Sequence, residues 1–174
     1  MSSAVKREVI SWIKTILLAV VLAGLVNTFL IVNAQVPTGS METTIMTGDR
    51  IMALRTSYWL DEPQRGDVVV FRYPDDPEQK TLFVKRIIGV GGDVVKVENG
   101  SVYINGEVLN EPYLEVITQG NFGPFEVPEG CYFMMGDNRN SSLDSRFWDN
   151  KFVAPDKILG KVVFRYYKGF KWIS

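Results

Sequence analysis

The sequence predicts a mainly β protein: an N-terminal transmembrane helix, then an antiparallel β domain arranged as a barrel or as packed sheets. Three observations predict it. An uncharged run of 18 residues, Thr15 to Val32, lies near the N-terminus. Behind it, runs rich in Val, Ile, Phe and Tyr alternate with Gly, Pro and Asn-Gly punctuation, the pattern of short strands and tight turns. The third is composition: 174 residues, 46% hydrophobic and 22% charged, which suits one folded domain with an appendage rather than a disordered chain.

The apolar run comes first. As a helix, 18 residues span ~27 Å, close to the hydrocarbon thickness of a bilayer. Lys6, Arg7 and Lys14 precede it and the next charge is Glu42. Positive charge on the N-terminal flank predicts a cytoplasmic segment over 1–14, an anchor over 15–32 and an extracytoplasmic domain over 33–174, at the cytoplasmic membrane. Val32-Asn33-Ala34 also has the small-residue form of a signal-peptide cleavage site, but the apolar run is longer than a usual signal core, which favours a retained anchor.

Val36-Pro37-Thr38-Gly39-Ser40-Met41 follows. Pro and Gly make it extended backbone and turn, able to hold a serine hydroxyl out of the core. Strands are predicted over 51–54, 67–72, 81–90, 95–98, 102–104, 131–135 and 161–166. Asn99-Gly100 and Asn105-Gly106 between alternating runs predict two hairpins, the second leading into Glu107-Val108. Residues 110–130, with Pro112, Pro124 and Pro128, read as a long connection, and 136–146 as a polar loop dense in hydrogen-bonding side chains. Arg65-Gly66-Asp67 reads as a turn feeding a strand, and Gly89 to Gly92 lacks the helix and Gly-Lys-Ser/Thr of a phosphate loop.

Composition narrows the chemistry. Lys+Arg number 19 and Asp+Glu 20, without the clustered basic excess that nucleic acid demands. Cys131 is the one cysteine, so no intramolecular disulfide forms. There is no histidine, which excludes a Ser-His-Asp triad, a Cys-His pair and the usual zinc sites; no metal or cofactor is expected. A hydrolase on this chain needs lysine, carboxylate or tyrosine as its base. Ser40 is a candidate nucleophile. Lys85, set in Phe83-Val84-Lys85, is a candidate base, because apolar surroundings disfavour the ammonium and lower its pKa. Ser142 offers a hydroxyl to orient the amine, and Asp144 with Arg146 offers an ion pair to brace the loop. The plainer readings are a linker serine, an outward strand lysine and a solvated loop.

Taken together these stretches resemble the bacterial type I signal peptidases, membrane-bound Ser/Lys serine proteases. The resemblance rests on the anchor, Thr38-Gly39-Ser40-Met41, Arg65-Gly66-Asp67-Val68-Val69, Val84 to Gly89 with Gly92-Asp93, and Gly136-Asp137-Asn138-Arg139 through Ser142, Asp144-Ser145-Arg146. It covers nearly the whole chain in order, and the last motif is the most specific. It implies Ser40 as nucleophile, Lys85 as general base, Ser142 positioning Lys85, and an oxyanion hole of the Ser40 N–H and the Thr38 hydroxyl. It implies secretory pre-proteins with small residues at −1 and −3 as substrates, a membrane as setting, and Val36, Met41, Ile45, Phe83 and Val84 as pocket residues. Thr43 departs from it, since the family often carries proline there. The short loops imply the compact form of the family.

Two other classes use parts of the same sequence. A membrane-tethered β adaptor for secretion or assembly would need the anchor and sheet but not both Ser40 and Lys85. A soluble self-cleaving Ser/Lys repressor would need a DNA-reading module where the apolar span lies.

Overall fold

The apolar run and its charged flank form one helix, α1 (Ser3–Phe29), in the computed structural model, which describes residues 3–167 and 169–173. Val5–Phe29 is long and apolar enough to cross a membrane by length and composition, and its apolar window is unburied by the rest of the chain. The helix ends sooner than the sequence suggests. Ile31 and Val32, predicted as the last residues of the anchor, open strand β1 (Ile31–Gln35), so one residue, Leu30, separates helix from sheet. An apolar run that passes from lipid into a protein core carries no compositional mark at the crossing.

Eleven more strands follow among the described residues: β2 (Arg50–Leu54), β3 (Val68–Arg72), β4 (Leu82–Val90), β5 (Val94–Glu98), β6 (Ser101–Ile104), β7 (Glu107–Val108), β8 (Phe122–Glu126), β9 (Tyr132–Met135), β10 (Phe152–Val153), β11 (Ile158–Tyr166) and β12 (Lys171–Trp172). They form two antiparallel sheets. The larger runs β1-β2-β11-β3-β4-β9-β10, with β12 on β11; the smaller runs β7-β6-β5-β8. The larger sheet stays open rather than closing into a barrel: β1 pairs with β2 and β10 with β9. The packed-sheet form of the expectation is the one realised.

Local sequence explains the main elements. In β3, Val68 and Val70 enter one core and Val69 and Phe71 another. A strand buried on both faces reads as a continuous apolar run, as Val68 to Phe71 does. Both Asn-Gly turns carry positive φ at both residues, 51° and 85° at Asn99-Gly100 and 53° and 87° at Asn105-Gly106. That is the conformation that matches the twist of a two-residue hairpin.

Three apolar clusters fill the molecule. One lies under the β1–β2–β11–β3 part of the sheet and includes Val32, Val36, Met41, Ile45, Ile51 and Val162. A second, with Ile88, Val95, Val97, Val102, Phe133 and Met135, joins the two sheets. The third gathers Val69, Phe71, Ile87, Met134, Trp148 and Val153.

Candidate active site

The serine turn is held by its apolar residues. Met41 and Ile45, both fully buried, sink into the first cluster beside Val36. The backbone closes around them: Val36 N–H donates to Asp49 O (2.9 Å), Gly48 N–H to Val36 O (2.8 Å) and Ile45 N–H to Met41 O (2.8 Å). The Asp49 carboxylate accepts from Met46 N–H (2.8 Å) and from Arg165 (3.0 Å). Ser40 is left at the margin of this plug, with its hydroxyl turned to β4.

Lys85 meets it there. Its Nζ stands 2.6 Å from Ser40 Oγ. Only 4% of Lys85 is exposed, so the outward-facing alternative does not hold. Burial, the largest influence, lowers the amine from its ordinary 10.5 to about 8; the Asp144 and Asp137 carboxylates pull it upward and Arg146 pushes it down. The neighbouring Arg86 takes the other face of the strand, as alternation requires. Its guanidinium donates twice to Asp137 (3.0 and 2.8 Å), once to Gly66 O (2.7 Å), and covers the Tyr113 ring at 3.9 Å.

The loop from Gly136 to Trp148 closes over the pair. Asn138 donates from its backbone to Ser40 O (3.1 Å) and from its side chain to Gly39 O (2.9 Å), tying loop to turn. Thr44 donates its hydroxyl to Asp137 (2.5 Å). Asp144 and Arg146 form the expected ion pair, Nε to Oδ1 at 2.8 Å and Nη2 to Oδ2 at 2.8 Å, both buried. Asp144 also accepts from Gly136 N–H (3.0 Å), and Arg146 donates to Arg139 O (2.6 Å). Arg139 pairs with Glu111 and donates to Gly136 O (3.1 Å). Ser142 is brought to the same crevice, but its buried hydroxyl makes no hydrogen bond among the described residues, to Lys85 or otherwise. Gly136 explains how close the loop comes: a Cβ there would sit 2.3 Å from Ser142 Oγ and 2.4 Å from Ser40 O.

A cleft of about 400 Å³ opens beside Ser40 and Lys85. Val36, Thr38, Phe83 and Val84 line it, with Leu143 on its rim. Met41 and Ile45 are not on its surface; they lie in the core behind it. Thr38 is exposed beside Ser40, and Thr43 is exposed on the turn. One edge of β4 is open here. Residues Leu82 to Arg86 pair with β3, whereas β9 joins the opposite edge only from Arg86 onward. Among the described residues no group of His, Cys, Asp and Glu is arranged to hold a metal.

Asn138 and Gly136 were not marked by sequence reasoning beyond their place in a motif. Their contribution is backbone and contact geometry, which composition does not carry. The Gly136-Asp137-Asn138-Arg139 run is the one signal that could have found them.

Fold and cleft together place a serine and a buried lysine side by side in a small β domain. Residues 9–167 match the family described as "Signal peptidase, peptidase S26". The chain is 41% identical over 157 residues, 88% of its length, to "Probable signal peptidase I-2" of Synechocystis sp., covering 71% of that protein. It is 41% identical over 151 residues to "Signal peptidase I" of Bacillus licheniformis, covering 81% of this chain and 80% of that one. A third, "Signal peptidase I" of Leptolyngbya laminosa, is 38% identical over 160 residues, 89% of this chain and 78% of that one. The chain belongs to the signal peptidase family, peptidase S26.

Proposed function

We propose that the protein is a membrane-anchored serine endopeptidase that removes signal peptides from secretory pre-proteins, with Ser40 and Lys85 as its catalytic pair. The observation that carries this is the 2.6 Å approach of a buried, pKa-lowered lysine to a serine hydroxyl at one end of an apolar cleft. A neutral Lys85 accepts the Ser40 proton as Oγ attacks the scissile carbonyl carbon. The oxyanion is met by the Ser40 N–H and the Thr38 hydroxyl. As the C–N bond breaks, Lys85 returns the proton to the leaving amine, and water then hydrolyses the serine ester by the same route. Asp144 and Arg146 brace the loop that carries Ser142 into the crevice beside the pair.

The substrate enters as a strand along the open edge of Leu82 to Lys85, where unpaired backbone groups await a partner. Val36, Phe83 and Val84 bound the pockets, with Met41 and Ile45 fixing their depth from beneath, so small side chains fit and bulky ones overlap. Helix α1 is the anchor. Lys6, Arg7 and Lys14 hold the N-terminus in the cytoplasm and leave the β domain outside, at the membrane surface where a precursor's own apolar segment ends. The shared bilayer raises the effective concentration of enzyme and precursor. The adaptor alternative has no relative or contact in its favour.

The test is to incubate the detergent-solubilised protein with a pre-protein and sequence the new N-terminus. Cleavage after a small residue, lost in Ser40→Ala, is expected. Undiminished cleavage by Ser40→Ala would remove Ser40 from the reaction.

A further inference from the structure

Phe83 belongs both to the cleft and to the aromatic core. Its ring stacks on Tyr73, centroids 4.5 Å apart and planes 16° from parallel. It tilts against Trp148 at 5.8 Å and meets Phe71 edge-on at 6.4 Å. Phe83 and Lys85 are two residues apart on β4 and share a face, and Lys85 Nζ lies 5.3 Å from the Phe83 ring centre. Whatever holds Phe83 therefore also sets the surroundings of the amine.

Tyr73 and Trp148 are tied to each other through one carboxylate. Asp75 accepts from the Tyr73 hydroxyl (3.1 Å), from Asp149 N–H (2.9 Å), and from Asn150 through its backbone (2.8 Å) and side chain (2.7 Å). Asp75 thus joins the tip of the β3–β4 hairpin to the chain that directly follows Trp148. The Tyr73 and Trp148 rings also touch, at 5.4 Å.

We propose that Tyr73 is a positioning residue for the cleft and that Asp75 is its latch: together they clamp Phe83 against Trp148, which fixes the cleft wall and keeps water from the Lys85 amine. The proposal rests on the Ser40–Lys85 reading above. Removing the Tyr73 ring leaves one face of Phe83 unsupported, so the wall yields to larger substrate side chains and the amine gains solvent. The charged groups acting on Lys85, namely Asp144, Asp137 and Arg146, sit on the 136–148 loop, and Arg86 points to the other face; Asp144 meets the clamp only through its backbone carbonyl, which accepts from Trp148 N–H (3.2 Å). The clamp itself does not titrate in the working range. Burial pulls the Asp75 carboxyl upward, but the hydrogen bonds from Asn150 and Asp149 hold it below its usual range. Burial, then Asp75, push the Tyr73 hydroxyl up.

The experiment measures kcat/KM against pH for the full-length enzyme, with peptides carrying Ala or Val before the scissile bond. Tyr73→Leu removes the ring, Tyr73→Phe removes only the hydroxyl, and Asp75→Ala releases the latch. In Tyr73→Leu the ascending limb should move up by about one pH unit toward solvated lysine. The same variant should raise the Val-to-Ala ratio of kcat/KM about tenfold. Asp75→Ala should move both in the same direction by less, and Tyr73→Phe should keep the wild-type selectivity. Wild-type limb and selectivity in both Tyr73→Leu and Asp75→Ala would overturn the proposal. If Tyr73→Leu fails to fold, Asp75→Ala alone decides, since it removes the bonds to Tyr73, Asp149 and Asn150 and leaves every ring of the aromatic core in place. Cleavage by Ser40→Ala, by contrast, would strike the dyad and not the clamp.

Discussion

At the scale of the residue, Lys85 combines two roles that oppose each other. With its pKa at about 8, about a tenth of the amine is neutral at pH 7, where a solvated lysine would offer less than a thousandth. The catalytic rate should rise along a limb near pH 8, and Lys85→Arg should be inactive because guanidinium keeps its proton. A pH series of kcat/KM on both proteins checks this; turnover by Lys85→Arg would move the proton elsewhere. The same burial costs stability. The folded-state pKa lies below the unfolded value, so between about 8 and 10.5 the unfolded chain binds more protons, and stability rises with pH through that window. Below it the full cost stands, about 3 kcal/mol for a drop of this size. Lys85→Met should therefore be more stable than wild type at pH 7 by up to about 3 kcal/mol, a gain that fades by pH 10.5. Denaturant unfolding at the two pH values reads the difference directly.

At the scale of the element, the loop from Gly136 to Trp148 depends on charges that are paired inside the protein. The Arg86–Asp137 pair is almost wholly buried. Removing one partner of such a pair typically costs 3–5 kcal/mol, more than the pair itself contributes. Asp137→Asn should cost about 3 kcal/mol and most of the activity, since Asn138, next in sequence, holds the Ser40 carbonyl. A double variant, Arg86→Met with Asp137→Leu, should recover stability without recovering cleavage; chemical unfolding beside a peptide assay separates the two effects. The elements that could be read beforehand are those whose signal is local. The Asn-Gly hairpins follow from φ preferences of two residues, and β3 and β4 from their branched and aromatic content. β8 could not, because Gly123 and Pro124 lie inside it and its pairing with β5 is non-local. The short strands β10 and β12 likewise exist through their partners. Ser40 and Lys85 were legible because missing histidine left few bases. The clamp behind them was not, because Tyr73, Asp75, Phe83 and Trp148 come from three separate segments.

At the scale of the whole molecule, the two halves of the chain meet almost without a joint. Leu30 alone lies between α1 and β1, and it is itself bonded on both sides: its N–H donates to Val26 O (2.9 Å) and its carbonyl accepts from Arg55 N–H (2.9 Å). Asn33 of β1 reaches back to Asn27 of the helix (3.1 Å), and the Tyr166 hydroxyl donates to Asn33 (3.3 Å). From Leu30 the chain needs five strand residues, ~17 Å, and a short turn to arrive at Ser40. On the proposed function, a helix fixed in the bilayer would act as a gauge post and keep Ser40 at one height above the lipid. Precursors would be sorted twice, by the side chains they present and by how far their scissile bond stands from the membrane. Inserting a flexible Gly-Ser-Gly-Ser segment after Leu30 should leave short-peptide hydrolysis intact. It should flatten the dependence on spacer length when membrane-inserted precursors with graded spacers are compared. A dependence as steep as in the wild type would mean that the gauge lies in the precursor and not in this junction.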